Sequence, residues 1–298
     1  MKQDIIAPAL NKIRAKKLQA QAEFDRLMAP VYADEQYQEA NKQYVRLVIE
    51  NARLQASNEK ANLAEQAKLE DQLAKIKAKY GITQTKPNFA CKNCDDNGYK
   101  NGEMCVCLKK EISRHLLKDS GFEKLEDFDT STKTSGNLAP VYNKMKEWCN
   151  ANSAKNLIYF AGATGVGKTH LMQCMANEFI EQGRMVKIVT AFKMNQDFRD
   201  FSKSFDEDLL NKYIECEVLF VDDLGTEPMY RNVTIEYLYL VINERKMKKL
   251  KTIITSNLDL SDIRDRYDER IFSRIADRQT SINLLLTGDD KRLNLKKQ

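Results

Sequence analysis

The sequence predicts an α/β protein: a doubly wound parallel sheet without an appended C-terminal helical lid, preceded by a helical N-terminal region and a small four-cysteine knuckle. Three observations carry this reading. Residues 1–80 are rich in Ala, Gln, Lys, Glu and Leu, nearly free of glycine, and helical in period. A Cys-x2-Cys pair and a Cys-x-Cys pair follow within seventeen residues, from Cys91 to Cys107. From about residue 140 onward, short apolar runs at 157–161, 186–190, 218–221, 252–255 and 281–286 alternate with helical segments.

In chain order, Ile6, Leu10, Ile13, Ala20, Phe24 and Leu27 form one stripe with helical spacing, which Ala29-Pro30 should end. Tyr37, Ala40, Tyr44, Leu47, Leu54 and Ala61 form a second, with Asn51 and Asn58 falling on stripe positions. The register then shifts to Leu69, Leu73, Ile76 and Tyr80. Polar residues in such a seam weaken it but fix pairing. A helical hairpin or small bundle results, either self-contained or with a face left for a partner.

Gly81 to Phe89 reads as a linker into the knuckle. Cys91, Cys94, Cys105 and Cys107, separated by a loop containing Gly98 and Gly102, can deliver four thiolates to one tetrahedral ion. Structural Zn²⁺ is the expected occupant; iron–sulfur ligation and unliganded thiols are the alternatives. Lys92, Lys100, Lys109 and Lys110 would offset the charge of a Zn²⁺–(Cys)₄ centre. Cys149, Cys174 and Cys216 stand among apolar neighbours and read as core filler. A polar stretch from Gly121 to Pro140 leads into the last region, giving expected segments 1–80, 81–120, 121–139 and 140–298.

In that region, residues 162–169 read Gly162-Ala163-Thr164-Gly165-Val166-Gly167-Lys168-Thr169, a glycine-rich phosphate loop followed by His170. Its glycines let the backbone wrap a polyphosphate with N–H groups inward, Lys168 reaches the β/γ-phosphates, and Thr169 ligates Mg²⁺. The loop joins the apolar run 157–161 to a helical pattern (Leu171, Met172, Met175, Ala176, Phe179, Ile180), which aims a helix N-terminus at an anion. A bound nucleoside triphosphate follows. Val218 to Val221 then runs into Asp222-Asp223, with Asp222 suited to the Mg²⁺ shell and Asp223 to the attacking water. A solvated acidic turn is the alternative, and Glu227 is a weaker candidate for the same chemistry. Asn257, after the run 252–255, could sense the γ-phosphate or cap the helix near Asp259–Asp262. Arg266, Arg270, Arg274 and Arg278 recur every four residues, forming on one helix either a self-paired solvated stripe or a source of a trans-acting arginine.

With 298 residues, 42% hydrophobic and 31% charged, and a mean hydropathy of −0.58, the chain has a soluble composition. No apolar stretch approaches the ~20 residues that span a bilayer. The N-terminus lacks a signal peptide's apolar core, so a cytoplasmic location is expected, without disulfides among the seven cysteines. A net charge of +5 permits a local basic patch and no more.

Gly162–Thr169, Leu219–Gly225, Thr255-Ser256-Asn257, Glu269–Arg274 and the cysteine knuckle together resemble the AAA+ ATPases of the DnaC/DnaI-type replicative helicase loader family, including its prophage relatives. The N-terminal helices match in placement and character alone. The resemblance implies a Mg²⁺-dependent ATPase in which Asn257 is a first sensor and Arg274 a trans finger with Arg270 beside it. Arg292 resembles a second sensor. It further implies that the N-terminal region grips a hexameric DnaB-type helicase, while hexameric or spiral ATPase domains line single-stranded DNA. Lys193, Arg199 and Lys203, with Phe192 and Phe198 for stacking, are this sequence's candidates for DNA contact. Two other readings share these motifs: an IstB-like transposition helper acting on duplex DNA, and a non-enzymatic adaptor in which nucleotide is structural.

Overall fold

The computed structural model describes residues 3–56, 61–118, 122, 124–134 and 136–288. The chain divides into two compact units, one formed by residues 11–100 and the other by the rest.

The first unit carries helices α1 (Gln3–Tyr32, entering from the other unit), α2 (Glu35–Ala56) and α3 (Leu63–Lys79). Met28, Val31, Tyr37, Ala40, Leu73, Ile76 and Ile82 are its buried centre, with Phe24 and Tyr44 packed against it. Two expectations need correction. The first helix runs past Pro30 to Tyr32, because a proline in a last turn forfeits one N–H bond without interrupting a ladder beyond it. The face it buries uses Met28 and Val31, while Leu27 is 45% exposed. In the second stripe, Asn51 is buried and bonded on both sides: its Nδ2 donates to Gln66 Oε1 (2.9 Å), and its Oδ1 accepts from the Asn62 N–H (2.8 Å). That polar seam position therefore sets the α2–α3 register. Asn58 lies outside the described residues.

The larger unit holds a sheet of β3 (Leu157–Ala161), β4 (Val186–Thr190), β5 (Val218–Leu224), β6 (Lys251–Ser256) and β7 (Ser281–Leu285) in the order β4-β5-β6-β3-β7. Every pairing is parallel. Alternate residues feed two separate cores. Ile158, Phe160, Ile188, Phe220 and Ile253 face α7 (Lys168–Glu181) and α6 (Ala139–Asn150). Tyr159, Val189, Leu219, Val221 and Ile254 face α8 (Ala191–Ser204), α9 (Asp208–Ile214) and α10 (Thr234–Met247). Burial on both faces explains why these strands read as unbroken apolar runs.

Two local departures from the sequence reading matter for the site. Within 121–139, α5 (Phe128–Thr134) is helical, and Phe128 and Leu138 enter the α7-side core despite their Ser/Thr-rich neighbours. The arginine stripe is also not one helix. It is divided between α11 (Leu260–Arg266) and α12 (Glu269–Ala276), with Arg278 beyond both. The cause is Asp268, whose carboxylate accepts from the Ile271 N–H at 2.9 Å and starts a new helix, while Tyr267 is pulled into the core.

Candidate nucleotide site

The phosphate loop turns from β3 into α7 with glycines where positive φ is needed: Gly165 at 85° and Gly167, the N-cap of α7, at 102°. Gly162 is required for space as well, since a Cβ there would meet Leu286 O at 2.3 Å. Val166 anchors the loop in the core, and Ala163 and Thr164 form its exposed crest. His170, on the first turn of α7, is held through Nδ1 by the Tyr142 hydroxyl at 2.9 Å, with Glu126 4.0 Å from Nε2.

Lys168 is buried, and its ammonium donates to Gly162 O (2.8 Å), Ala163 O (2.9 Å) and Asn257 Oδ1 (2.7 Å). The end of β6 is thereby brought to the loop across 89 residues of sequence. Capping near Asp259 falls to Asp259 itself, which forms a reciprocal capping box with Asp262.

Asp222 sits beside this pair. Its Oδ1 accepts from Thr169 Oγ1 (3.1 Å) and from Thr255 Oγ1 (2.5 Å), and Thr255 Oγ1 accepts in turn from the Asp223 N–H (3.0 Å). Burial raises the Asp222 carboxyl above its ordinary pKa, with Thr255 and Thr169 opposing the shift and Asp223 adding to it. The consecutive acids sit in a β-bulge: Val221 pairs with Ile254 but Leu224 with Ser256, and Asp223 adopts φ 54°. A bulge re-aims a side chain that a regular strand would send to the opposite face. Neither the bulge nor Thr255 was anticipated; the one sequence signal was Thr255 directly preceding Ser256-Asn257. Glu227 is committed elsewhere. Its carboxylate accepts from the Gly225 N–H (2.9 Å) and from the buried Tyr267 hydroxyl, so it serves the turn rather than a water.

The arginines differ in their partners. Arg264 pairs with Glu269 at 3.2 Å, and Arg266 donates to Glu227 O. Arg270 bonds Glu236 through both terminal nitrogens (3.0 and 3.3 Å) and Asp268 through Nε (2.8 Å), and these carboxylates raise its pKa further. Arg274 instead meets neutral groups: Nε donates to Asn243 Oδ1 (2.9 Å), Nη2 to Tyr239 Oη (2.7 Å) and Nη1 to Arg270 O (3.3 Å). Arg292 lies outside the described residues.

The four clustered cysteine sulfurs lie within 4.8 Å of one another. Thiolates around one Zn²⁺ at about 2.3 Å would be about 3.8 Å apart, so small adjustments accommodate a tetrahedral ion. The hairpin between the pairs, β1 (Tyr99–Lys100) and β2 (Glu103–Met104), turns through Asn101 and Gly102 at positive φ. The first knuckle is braced by Asp96, whose carboxylate accepts from the N–H groups of Ala90 and Cys91 (2.8 Å each). Lys109 and Lys110 do not serve as counter-charges to the sulfurs as expected: they pair with Glu217 (3.3 Å) and Glu181 (2.7 Å). Among the DNA-contact candidates, Phe198 is 1% exposed and belongs to the core, and Lys193 is paired with Asp197. Phe192 is 48% exposed, and Arg199 lies over the Tyr230 ring at 5.4 Å.

A fully buried arginine, Arg245, was missed. It donates to the carbonyls of Tyr213 (2.7 Å), Cys216 (2.8 Å) and Lys251 (2.7 Å) and to Thr252 Oγ1 (2.9 Å), joining α9, α10 and β6. Its position on the Leu238, Val241, Ile242 stripe was the available signal.

A family profile described as "IstB-like ATP binding protein" matches residues 112–298. The Bacillus subtilis phage-like element PBSX protein XkdC is 26% identical over 231 residues, covering 69% of this chain and 85% of that protein. The replicative helicase loader DnaC of Buchnera aphidicola subsp. Schizaphis graminum is 30% identical over 122 residues, covering 39% of this chain and 48% of that protein. The chromosomal replication initiator DnaA of Aliarcobacter butzleri is 36% identical over 107 residues, or 34% of this chain and 23% of that one. The chain thus spans less than half the length of the DnaC and DnaA relatives. The profile covers the phosphate loop, the acid pair at the end of β5, Asn257 and the arginines of α12, and the chain belongs to the IstB-like ATP-binding protein family.

Proposed function

We propose that this protein is an ATP-dependent loader of a hexameric DnaB-type replicative helicase onto single-stranded DNA. The observation that carries the reading is the convergence of Lys168, Thr169, Asp222 and Asn257, drawn from three strand ends, onto one phosphate loop. In this reading Lys168 exchanges its loop carbonyls for β/γ-phosphate oxygens, with the N–H groups of Gly162 to Thr169 lining the cradle. Thr169 and Asp222 hold Mg²⁺, whose charge offsets that of the β- and γ-phosphates when bound. Asp223, turned by the bulge, orients or deprotonates the attacking water, and Asn257 reads the γ-phosphate. Arg274 completes the site of an adjacent copy, so hydrolysis takes place in an oligomer. Zn²⁺ at Cys91, Cys94, Cys105 and Cys107 folds the knuckle, residues 1–80 bind the helicase, and Phe192 with the Arg199–Tyr230 pair contacts single strands.

The similarity to DnaC, a replicative helicase loader, supports the partner assignment. The expected outcome is ATP turnover stimulated by single-stranded DNA, and co-migration with a hexameric helicase that is lost when residues 1–80 are removed. Binding that survives the truncation refutes the helicase assignment to the N-terminal helices. One rival shares the IstB-like name of the matching profile, the transposition helper acting on duplex DNA. Preferential binding and bending of duplex over single strands would establish it instead.

A further inference from the structure

The arginines of α11 and α12 are distinguished by what neutralises them. Arg264 and Arg270 face carboxylates, whereas among the described residues Arg274 makes no ion pair. It is nonetheless fixed. Asn243 holds Nε, the Tyr239 hydroxyl accepts from Nη2, and the guanidinium lies over the Tyr239 ring at 4.4 Å. Arg270 lies over the same ring at 4.9 Å while Glu236 and Asp268 hold its nitrogens. Glu236, Tyr239 and Asn243 are spaced three and four residues apart on α10, so they form one face against Arg270 and Arg274, themselves four apart on α12.

We propose that Tyr239 and Asn243 are positioning residues that aim the Arg274 guanidinium, its charge left uncompensated, at the nucleotide of an adjacent copy, and that Arg270 is a brace rather than a second finger. The proposal rests on the reading that hydrolysis takes place between copies. The chemistry is specific to neutral acceptors. A carboxylate at either position would fix the guanidinium equally well but cancel the charge a developing phosphate charge needs. Hydroxyl and amide oxygens fix direction and leave the charge in place. Of the five N–H donors, the three contacts above use three, leaving two for an incoming anion. Tyr239 adds a ring that both guanidinium groups share, so one side chain orients Arg270 and Arg274 together.

The test is steady-state ATP hydrolysis by the full chain carrying Tyr239→Phe, Tyr239→Leu, Asn243→Leu or Arg274→Ala, alone and mixed with Lys168→Ala. Lys168→Ala lacks its own phosphate ligand but keeps Arg274. Tyr239→Leu and Asn243→Leu should lower kcat about 10- to 100-fold, the scale expected for misplacing one catalytic group, with KM for ATP and the melting temperature nearly unchanged. Tyr239→Phe, which keeps the ring, should lose less. Mixing with Lys168→Ala should restore turnover, because that partner supplies a well-aimed arginine in trans. If Arg274→Ala abolishes turnover while both α10 variants retain it, the positioning role is overturned and the inter-subunit reading survives. Lost turnover in the α10 variants that mixing does not rescue, while the Arg274→Ala mixture is rescued, makes their role structural and overturns the proposal. Full activity in Arg274→Ala removes the inter-subunit reading itself.

Discussion

Thr255 joins the two acids of the site with a single hydroxyl: it donates to the Asp222 carboxylate and accepts the Asp223 N–H. The bulge that turns the two adjacent carboxylates apart is therefore held from the neighbouring strand, and the side chain is fully buried. Thr255→Val keeps the shape and removes both bonds. Turnover should fall about 10-fold or more, and, if Asp222 holds Mg²⁺ as proposed, the Mg²⁺ concentration for half-maximal activity should rise, because that carboxylate loses its second anchor. Ser at the same position should recover most of the loss. A Val variant with parental Mg²⁺ dependence would show that Thr255 has no such part. Arg245 poses the complementary case, a charge with no catalytic task. Arg245→Leu strands the carbonyls of Tyr213, Cys216 and Lys251 in the interior, at a cost of about 3 kcal/mol or more. Denaturant unfolding with an unchanged m-value would measure it, and a loss under 1 kcal/mol would mean that water or neighbours re-satisfy those groups.

At the scale of elements, strand and loop positions were legible because each depends on local pattern: two-sided burial gives continuous apolar runs, and phosphate binding demands glycines at fixed spacing. The division of α11 from α12 was not, because the four-residue arginine period continues through a break decided by the side chain of Asp268 and the burial of Tyr267. Pairing between elements was equally invisible. The carboxylate of Asp197 on α8 accepts from Lys193 (2.7 Å), from Lys212 on α9 (2.5 Å) and from the Tyr213 hydroxyl. Burial raises its pKa, but the two ammonium groups and the hydroxyl outweigh that, so the folded value lies below the ordinary one. A depressed folded pKa gives stability that is present above the unfolded value, about 3.9, and is lost as pH falls through the folded value. Asp197→Asn should therefore flatten the decline of unfolding free energy below about pH 4 and destabilise the protein at neutral pH. An identical acid slope in parent and variant would exclude the clamp. The knuckle, on the proposed reading, is an element held by a metal ion. Purified protein should carry one Zn²⁺ per chain and no visible iron–sulfur absorbance, and Cys94→Ser should release the metal and expose the segment around residues 91–107 to protease. Stoichiometric iron and sulfide would transfer the site to the other chemistry.

For the whole molecule, the physical question is whether nucleotide energy is confined to the residues that touch it. Gly162 argues that it is transmitted. The glycine lies under Leu286 O, and Leu286 N bonds Ala161 O at 2.8 Å, so the loop's first residue is clamped between β3 and the segment leaving β7. Lys168 and Asn257 tie the same loop to β6, and Thr169 ties it to β5. A ligand that replaces these internal bonds must be felt at three strand ends together. Because it binds the folded sheet and not the unfolded chain, ATP with Mg²⁺ at about 100 times its Kd should add about 2.7 kcal/mol to the unfolding free energy of that unit. Amide exchange should slow across residues 162–171, 221–225, 255–258 and 284–286, not in the loop alone. Gly162→Ala should remove most of the protection at 284–286 as well as weaken binding, since its Cβ cannot coexist with Leu286 O. Lys168→Ala should remove the ATP-dependent increment, and its apo melt should fall as well, because Gly162 O and Asn257 Oδ1 lose their buried donor. Protection restricted to 162–169 in the parent would mean that the strand ends report nothing to one another. Any coupling of nucleotide state to partner binding would then need a path other than the sheet.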